Sequence, residues 1–97
     1  MKSREQILES LGRALPALRE RYPLGRVALF GSFVRGEQTA ASDVDLAVDF
    51  TGPMRYRESV GLQDELAEAL GVPVDLSDRS LLRPRLLRRV EAEAVVL

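Results

Sequence analysis

The residues with the clearest chemical potential are two aspartates, Asp43 and Asp45, in a run that alternates polar and apolar residues. In a strand, side chains two residues apart share a face, with Cα atoms about 6.6 Å apart. Two carboxylates about 6 Å apart repel by roughly 2 to 3 kcal/mol at an effective dielectric near 20, and a shared cation relieves that repulsion. Mg²⁺ suits such a pair because it binds one or two carboxylates together with substrate phosphates. The pair predicts a magnesium site that acts on a phosphate substrate, although alternating aspartates also occur on solvent-facing strands.

Two further positions extend this site. Gly31 and Ser32 follow an apolar strand and precede a helical turn, where a glycine backbone can approach a phosphate and a serine hydroxyl can bind it. The alternative is an ordinary turn in which Ser32 is the N-cap. Asp75 lies between Val74 and Leu76, so it points away from the face that those two residues bury. It is a candidate third carboxylate, or else a solvated side chain.

Several charged residues have weaker patterns. Arg35 lies one turn after Gly31 and either pairs with phosphate or is a surface residue. Asp49 shares the face of the aspartate pair and is expected to be solvated. A group of C-terminal arginines is either a surface that steers an acidic partner or RNA, or the solvated side of the last helix. Its members are Arg79, Arg83, Arg85, Arg88 and Arg89.

Composition limits the possible chemistry. The chain of 97 residues is 45% hydrophobic and 30% charged, which predicts one domain over residues 1–97. It has no cysteine and no histidine, which excludes disulfides, thiolate nucleophiles, the usual zinc ligands and imidazole catalysis. A net charge of -1 gives no general attraction to nucleic acid or to a membrane. No apolar run is long enough for a membrane span, so a cytoplasmic protein is expected.

The elements that must position these residues follow from hydrophobic periodicity. Pro73 indicates that the third strand is at a sheet edge or that the proline is its first residue. The first helix has Ser3 as its N-cap and is expected to bend or restart near Gly12 and Pro16. Together the elements predict an α/β (α+β) fold, with a short mixed sheet, helices packed on one face and the acidic site on the other. In order they are helix 3–21, strand 26–30, helical turn 32–36, strand 43–50, helix 57–70, strand 72–76 and helix 81–97.

The motif spacing resembles a known family. Gly31-Ser32, ten intervening residues, Asp43-Val44-Asp45 and the later Asp75 resemble the polymerase-β-type nucleotidyltransferases in their minimal form. Residues 31–37 and 42–48 are similar to the MntA-type antitoxins, which pair with HEPN toxins. Val34 stands where many members have alanine, a difference at a packing position that affects no catalytic residue.

The resemblance implies a function for each site residue. Gly31, Ser32 and Arg35 would bind the triphosphate of ATP, and Asp43 and Asp45 would bind two Mg²⁺ ions. Asp75 would join the metal site and act as the base. Two metals clamp the attacking and leaving oxygens of an in-line displacement, while a carboxylate accepts the proton of the attacking hydroxyl.

The acceptor must come from outside, because the chain has no residues left for a second domain. The resemblance implies a protein adenylyltransferase that moves AMP onto a tyrosine of a HEPN RNase toxin encoded nearby, in a hetero-oligomer, with no membrane and no direct nucleic-acid binding. Two alternatives remain. One is an antitoxin that neutralises the toxin by binding alone, and the other is a transferase that modifies a small molecule such as an aminoglycoside. Residues 94–97 either dock into the partner or complete the core.

Overall fold

The structure is a computed structural model that describes residues 2–97. It contains a four-stranded mixed sheet in the order β3-β2-β1-β4 with four α-helices, which confirms the predicted α+β fold. β1 pairs antiparallel with β2 and β4, and β2 pairs parallel with β3. The elements are α1 (Arg4–Arg21), β1 (Leu24–Phe30), α2 (Ser32–Arg35), β2 (Val44–Phe50), α3 (Tyr56–Leu70), β3 (Val74–Asp78), a 3-10 helix (Arg79–Leu81), α4 (Pro84–Glu93) and β4 (Val95–Val96).

The main core lies between the sheet and the two long helices, α1 and α3. Each helix contributes leucines or isoleucine at spacings of three or four residues, which form one apolar stripe. The strands contribute alternate residues, because side chains two apart share a face. The buried residues of this core include Ile7, Leu11, Leu15 and Leu18 of α1, Leu62, Leu66 and Leu70 of α3, and Val27, Leu29, Val44, Leu46, Val48 and Val74 of the strands.

The first helix begins as predicted but does not restart. The Ser3 Oγ accepts a hydrogen bond from the Gln6 amide at 3.2 Å, and the Ser3 amide donates to Gln6 Oε1 at 2.8 Å. α1 then continues through Gly12 and Pro16 to Arg21, so the expected restart is wrong. Both residues are exposed, and the Gly12 carbonyl that loses its partner at Pro16 can bind water instead.

The last helix differs most from expectation. α4 ends at Glu93 and lies on the opposite face of the sheet from α1 and α3, where Val90 packs against Ala28, Phe30 and Ala47. The two long helices therefore cover one face as predicted, while α4 shares the other face with the aspartates. Hydrophobic periodicity shows that a helix has an apolar side but not which face of the sheet that side covers.

The chain ends as a strand, not as a continuation of α4. Val95 pairs with Leu29 and Val96 pairs with Ala28, which protects the free edge of β1. The Leu97 amide donates to the Val27 carbonyl at 2.8 Å, and its side chain packs on the main core. Residues 94–97 thus complete the fold.

β3 is the strand at the other edge of the sheet, one of the two positions that Pro73 predicted, and Pro73 itself lies just before the strand. Its observed span is displaced towards the C-terminus relative to the predicted 72–76. α3 ends at Leu70, the predicted position, and Gly71 is its C-cap. Within residues 2–97, no helix combines the length and the hydrophobicity that crossing a bilayer requires.

Replacing Leu66 with alanine tests the main core. Leu66 is only 1% exposed, so we expect a loss of about 2 to 5 kcal/mol in the free energy of unfolding. Leu81→Ala is the matched control, since Leu81 is 80% exposed and its loss should change stability by no more than about 0.5 kcal/mol. Urea denaturation measures both, and equal losses would show that the core is assigned wrongly.

Candidate active site

The sheet register brings the predicted acidic residues together. Asp45 and Asp75 are direct partners in the parallel pairing of β2 with β3, and adjacent strands lie about 4.8 Å apart. Their neighbours Val44 and Val74 are buried in the main core, so both aspartates project from the opposite face. Asp43, just before β2, is close enough to act on the charge of Asp45. The structure thus places all three carboxylates in one region.

The electrostatics of this region disfavour negative charge. Burial raises the pKa of the Asp45 carboxyl, and the nearby Asp75, Asp43 and Glu93 carboxylates raise it further. The guanidinium of Arg35 opposes this rise in pKa. Asp75 and Asp43 are both exposed, whereas Asp45 is half-buried. A divalent cation would therefore be attracted most strongly to the centre of the cluster, at Asp45.

The carboxylates do not form a closed metal cage by themselves. In the described chain, from Lys2 to Leu97, no three acidic side chains lie close enough to enclose a metal ion. Mg²⁺ does not need such a cage, because it keeps waters and shares one or two carboxylates with the phosphates of its substrate. The open arrangement of Asp43 and Asp45 fits that mode of binding.

Gly31 connects β1 to α2 beside the carboxylates. Its backbone has φ 85° and ψ -154°, a region that essentially only glycine adopts. A Cβ atom at this position would overlap the Asp45 carboxylate, so a side chain is excluded for a second reason. Gly31 is the N-cap of α2 and Ser32 is its first residue, so the alternative role of Ser32 as N-cap is wrong. The turn brings backbone and aspartate into direct proximity.

A glutamate that the sequence analysis did not consider binds the same turn. The Gly31 amide donates to Glu93 Oε1 at 3.0 Å, and Arg35 Nη1 donates to the two carboxylate oxygens of Glu93 at 2.9 and 3.2 Å. Arg35 also donates through Nε to Glu37 at 2.7 Å. Glu93 is the last residue of α4, and in the sequence it does not differ from a solvated glutamate such as Glu91.

The environment of Glu93 keeps it ionised. Burial tends to raise the pKa of this carboxyl, but the hydrogen bonds from the Gly31 amide and the Arg35 guanidinium outweigh burial. The pKa of Glu93 therefore lies below its usual value. The predicted phosphate-binding groups thus have a carboxylate anion as their partner in this structure.

Asp49 and Arg79 form an ion pair on the same face. Arg79 Nε donates to Asp49 Oδ1 at 2.6 Å, so the expectation that Asp49 is solvated is wrong. Arg79 belongs to the 3-10 helix before α4, not to the solvated side of the last helix. Arg79 therefore compensates the charge of Asp49 locally.

Comparisons with known proteins agree with this geometry. Residues 11–97 match the family model described as a nucleotidyltransferase domain. The chain is 36% identical over 95 residues to the protein adenylyltransferase MntA of Thermococcus cleftensis, covering 98% of this chain and 96% of the relative. It is 31% identical over 98 residues, and over the full length of both chains, to a protein of Methanocaldococcus jannaschii that is assigned as a protein adenylyltransferase.

Solved structures show the same fold. A protein assigned as a minimal nucleotidyltransferase superposes with a TM-score of 0.81 at 35% identity, over 99% of this chain and 97% of its own. A toxin–antitoxin crystal structure with AMP-PNP gives a TM-score of 0.70 at 27% identity, over 98% of this chain and 72% of that one. A complex of a tri-AMPylated HEPN toxin with an MNT antitoxin from Shewanella oneidensis gives 0.70 at 25% identity, over 93% and 70%.

Gly31→Ala tests whether the turn needs glycine. We expect the variant to lose more than about 2 kcal/mol in the free energy of unfolding, because alanine is strained at this φ and its methyl group meets Asp45. Gly12→Ala is the control, since Gly12 is helical with open space around it and alanine there should stabilise by about 0.5 to 1 kcal/mol. Urea denaturation that ranks the two variants equally would refute this description of the turn.

Asp45→Asn tests the repulsion within the acidic cluster. Because the folded pKa of Asp45 is raised, its ionised form weakens the fold at neutral pH, and this weakening disappears as the pH falls below the ordinary aspartate value of about 4. We expect Asp45→Asn to raise the stability of the metal-free protein at pH 7 by about 0.5 kcal/mol, because solvent screens a half-buried charge, which corresponds to about 2 to 4 °C in Tm.

The control for that measurement is Asp49→Asn on the same strand face. Asp49 is paired with Arg79, so its replacement should leave stability unchanged or lower it. Thermal denaturation of the two variants and the unmodified protein in chelator, at pH 7 and pH 3.5, gives the comparison. A lower Tm for Asp45→Asn at pH 7 would contradict the electrostatic account.

Proposed function

Because the chain belongs to the nucleotidyltransferase domain family, we propose that it transfers AMP from ATP to a protein partner in a magnesium-dependent reaction. The observation that carries the proposal is the register of Asp45 with Asp75, beside the Gly31 turn. The relatives named protein adenylyltransferases support the protein acceptor. ATP as the donor places the reaction in the cytoplasm.

In this proposal, Gly31, Ser32 and Arg35 bind the triphosphate. The absence of a side chain at Gly31 lets a phosphate approach the backbone next to Asp45. Ser32 adds a hydroxyl donor, and Arg35 offers the planar pair of donors that suits phosphate oxygens. The toxin–antitoxin structure with AMP-PNP supports nucleotide binding by this fold.

Asp43 and Asp45 are the magnesium ligands in this proposal, with Asp75 as a third ligand and as the general base. Bound Mg²⁺, proposed as two ions, would neutralise the phosphates and stabilise the charge that develops during transfer. Asp75 accepts the proton of the attacking hydroxyl. The hydroxyl oxygen forms a bond to the α-phosphorus, the bond from that phosphorus to its bridging oxygen breaks, and pyrophosphate leaves with the electron pair.

The acceptor that we propose is a tyrosine of a HEPN-type RNase toxin, with which the chain assembles as antitoxin. The support is the likeness to the MNT antitoxin chains, one of them in complex with a tri-AMPylated HEPN toxin. A tyrosine hydroxyl is a suitable nucleophile because a nearby carboxylate can take its proton as the bond to phosphorus forms. Modification would silence the toxin by adding bulk and charge.

A transfer assay tests the proposal. The protein is incubated with the HEPN protein encoded beside its gene, ATP labelled on the α-phosphate, and Mg²⁺. We expect label on the HEPN protein, AMP on tyrosine by mass spectrometry, no transfer in chelator, and a loss of at least about 100-fold in rate for Asp43→Asn and Asp75→Asn.

Asp64→Asn is the matched control, because Asp64 is an exposed aspartate on α3, the helix that packs on the other face of the sheet. It should transfer AMP at the unmodified rate. If the HEPN protein stays unlabelled, and Asp43→Asn still neutralises it in cells, the chain is an antitoxin that acts by binding. Label on an aminoglycoside instead of protein would identify a small-molecule transferase.

A further inference from the structure

We propose that Glu93 is an internal competitor of the nucleotide: its carboxylate occupies the phosphate-binding donors of the active site, and the triphosphate must displace it. The inference rests on the proposed function for the identity of those donors. The inference adds Glu93, which lies 62 positions after Gly31 in the sequence, as a residue that controls nucleotide affinity.

The geometry of Glu93 is that of a bound anion. One carboxylate oxygen receives both the Gly31 amide, at 3.0 Å, and Arg35 Nη1, at 2.9 Å, and the second oxygen lies 3.2 Å from the same Nη1. Its side chain is 18% exposed, whereas that of Glu37, the other partner of Arg35, is 63% exposed. Glu93 is therefore inserted into the site, while Glu37 is held at the surface.

A carboxylate and a phosphate cannot use these donors together. Both are anions with oxygen acceptors, and charge-assisted hydrogen bonds from an amide and a guanidinium are the bonds that a phosphate would make. Glu93 also adds negative charge next to Asp45, where Asp43 and Asp75 already contribute. A triphosphate that arrives while Glu93 is in place would meet a fourth carboxylate and no free donor at Gly31.

The position of Glu93 in α4 makes it easy to displace. It is the last helical residue, and a negative charge at a helix C-terminus is unfavourable because the carbonyl ends of the helix point there. α4 therefore does not itself favour the Glu93 charge, and the contacts with Gly31 and Arg35 hold it. Rotation of this side chain releases both donors while Val90, one turn earlier, stays packed against the sheet.

Glu93→Gln tests the proposal, because glutamine keeps the shape of the side chain and removes its charge. When a site is open for only a fraction of the time, its apparent Kd equals the intrinsic Kd divided by that open fraction. We expect calorimetry to show that Glu93→Gln binds inorganic tripolyphosphate, and ATP with Mg²⁺, about 5- to 20-fold more tightly than the unmodified protein.

Glu91→Gln is the matched control. Glu91 lies on the same helix, and its contact with Arg79 is long, at 3.5 Å, so its replacement should leave tripolyphosphate affinity unchanged. The Gly31 amide resonance gives a second readout: it should move in Glu93→Gln and on adding tripolyphosphate to the unmodified protein, and stay in place in Glu91→Gln. Glu93→Ala repeats the comparison should the glutamine variant be unfolded by circular dichroism.

The outcomes separate this inference from the proposed function. Equal or weaker tripolyphosphate binding by both Glu93 variants overturns the inference, and AMP transfer by the unmodified protein in that case leaves the proposed function intact. Tighter tripolyphosphate binding by Glu93→Gln, without AMP transfer by any variant, supports the competitor role and overturns the proposed function. A failure of all variants to bind tripolyphosphate, or ATP with Mg²⁺, together with an absence of AMP transfer, overturns both.

Discussion

The parallel pairing of β2 with β3 is the constraint on which the site depends. It sets Asp45 opposite Asp75, and a slip of one residue would turn one of them into the core. The register is fixed by burial on the other face, where Val44, Leu46 and Val74 pack beneath α1 and α3. The apolar residues on one face of β2 and β3 thus determine where the aspartates lie on the other face.

A parallel pair of strands also needs a long connection between them. α3 supplies this connection as a helix whose leucines belong to the same core. The same two strands and their connecting helix therefore form the core and position the site.

The acidic cluster around Asp45 has an electrostatic cost. Burial and like charges raise the pKa of Asp45, and the principal local counter-charge is Arg35, which Glu37 and Glu93 also contact. A protein selected only for stability would not collect carboxylates around a half-buried aspartate. A backbone conformation that excludes a side chain, at Gly31, occurs at the same point. A turn that only glycine can form and a cluster of like charges thus coincide in space, in a chain whose remaining ion pairs lie mostly at the surface, and such a coincidence is typical of functional sites.

The sequence predicted those parts of the fold that depend on local pattern. The strict alternation from Asp43 to Phe50 predicted β2 and the face of its aspartates, and Ser3 with Gln6 predicted the start of α1. The side of the sheet that α4 covers was not predictable from its periodicity, and β4 is only two residues long, too short for any pattern. The contact of Glu93 with Gly31 joins residues 62 positions apart, and no local rule selects it. The chemical roles of Asp43, Asp45, Asp75, Gly31, Ser32 and Arg35 stay predictions, since geometry places these residues without showing what they bind.

The arrangement of helices also determines how an acceptor can reach the site. α1 and α3 close one face of the sheet, and α4 covers the β1 part of the other face through Val90. Val90 also covers Ala47 of β2, whereas β3 lies at the sheet edge and pairs only with β2 within residues 2–97. Asp75, on that edge, is exposed, while Asp45 is half-buried. In the proposed reaction, a hydroxyl that gives its proton to Asp75 would reach this aspartate from its exposed side, at the β3 edge of the sheet. Gly31 follows β1 and Asp75 belongs to β3, so the proposed donor site and the proposed base lie on opposite sides of Asp45 in the sheet, an order compatible with attacking and leaving oxygens on opposite sides of the phosphorus.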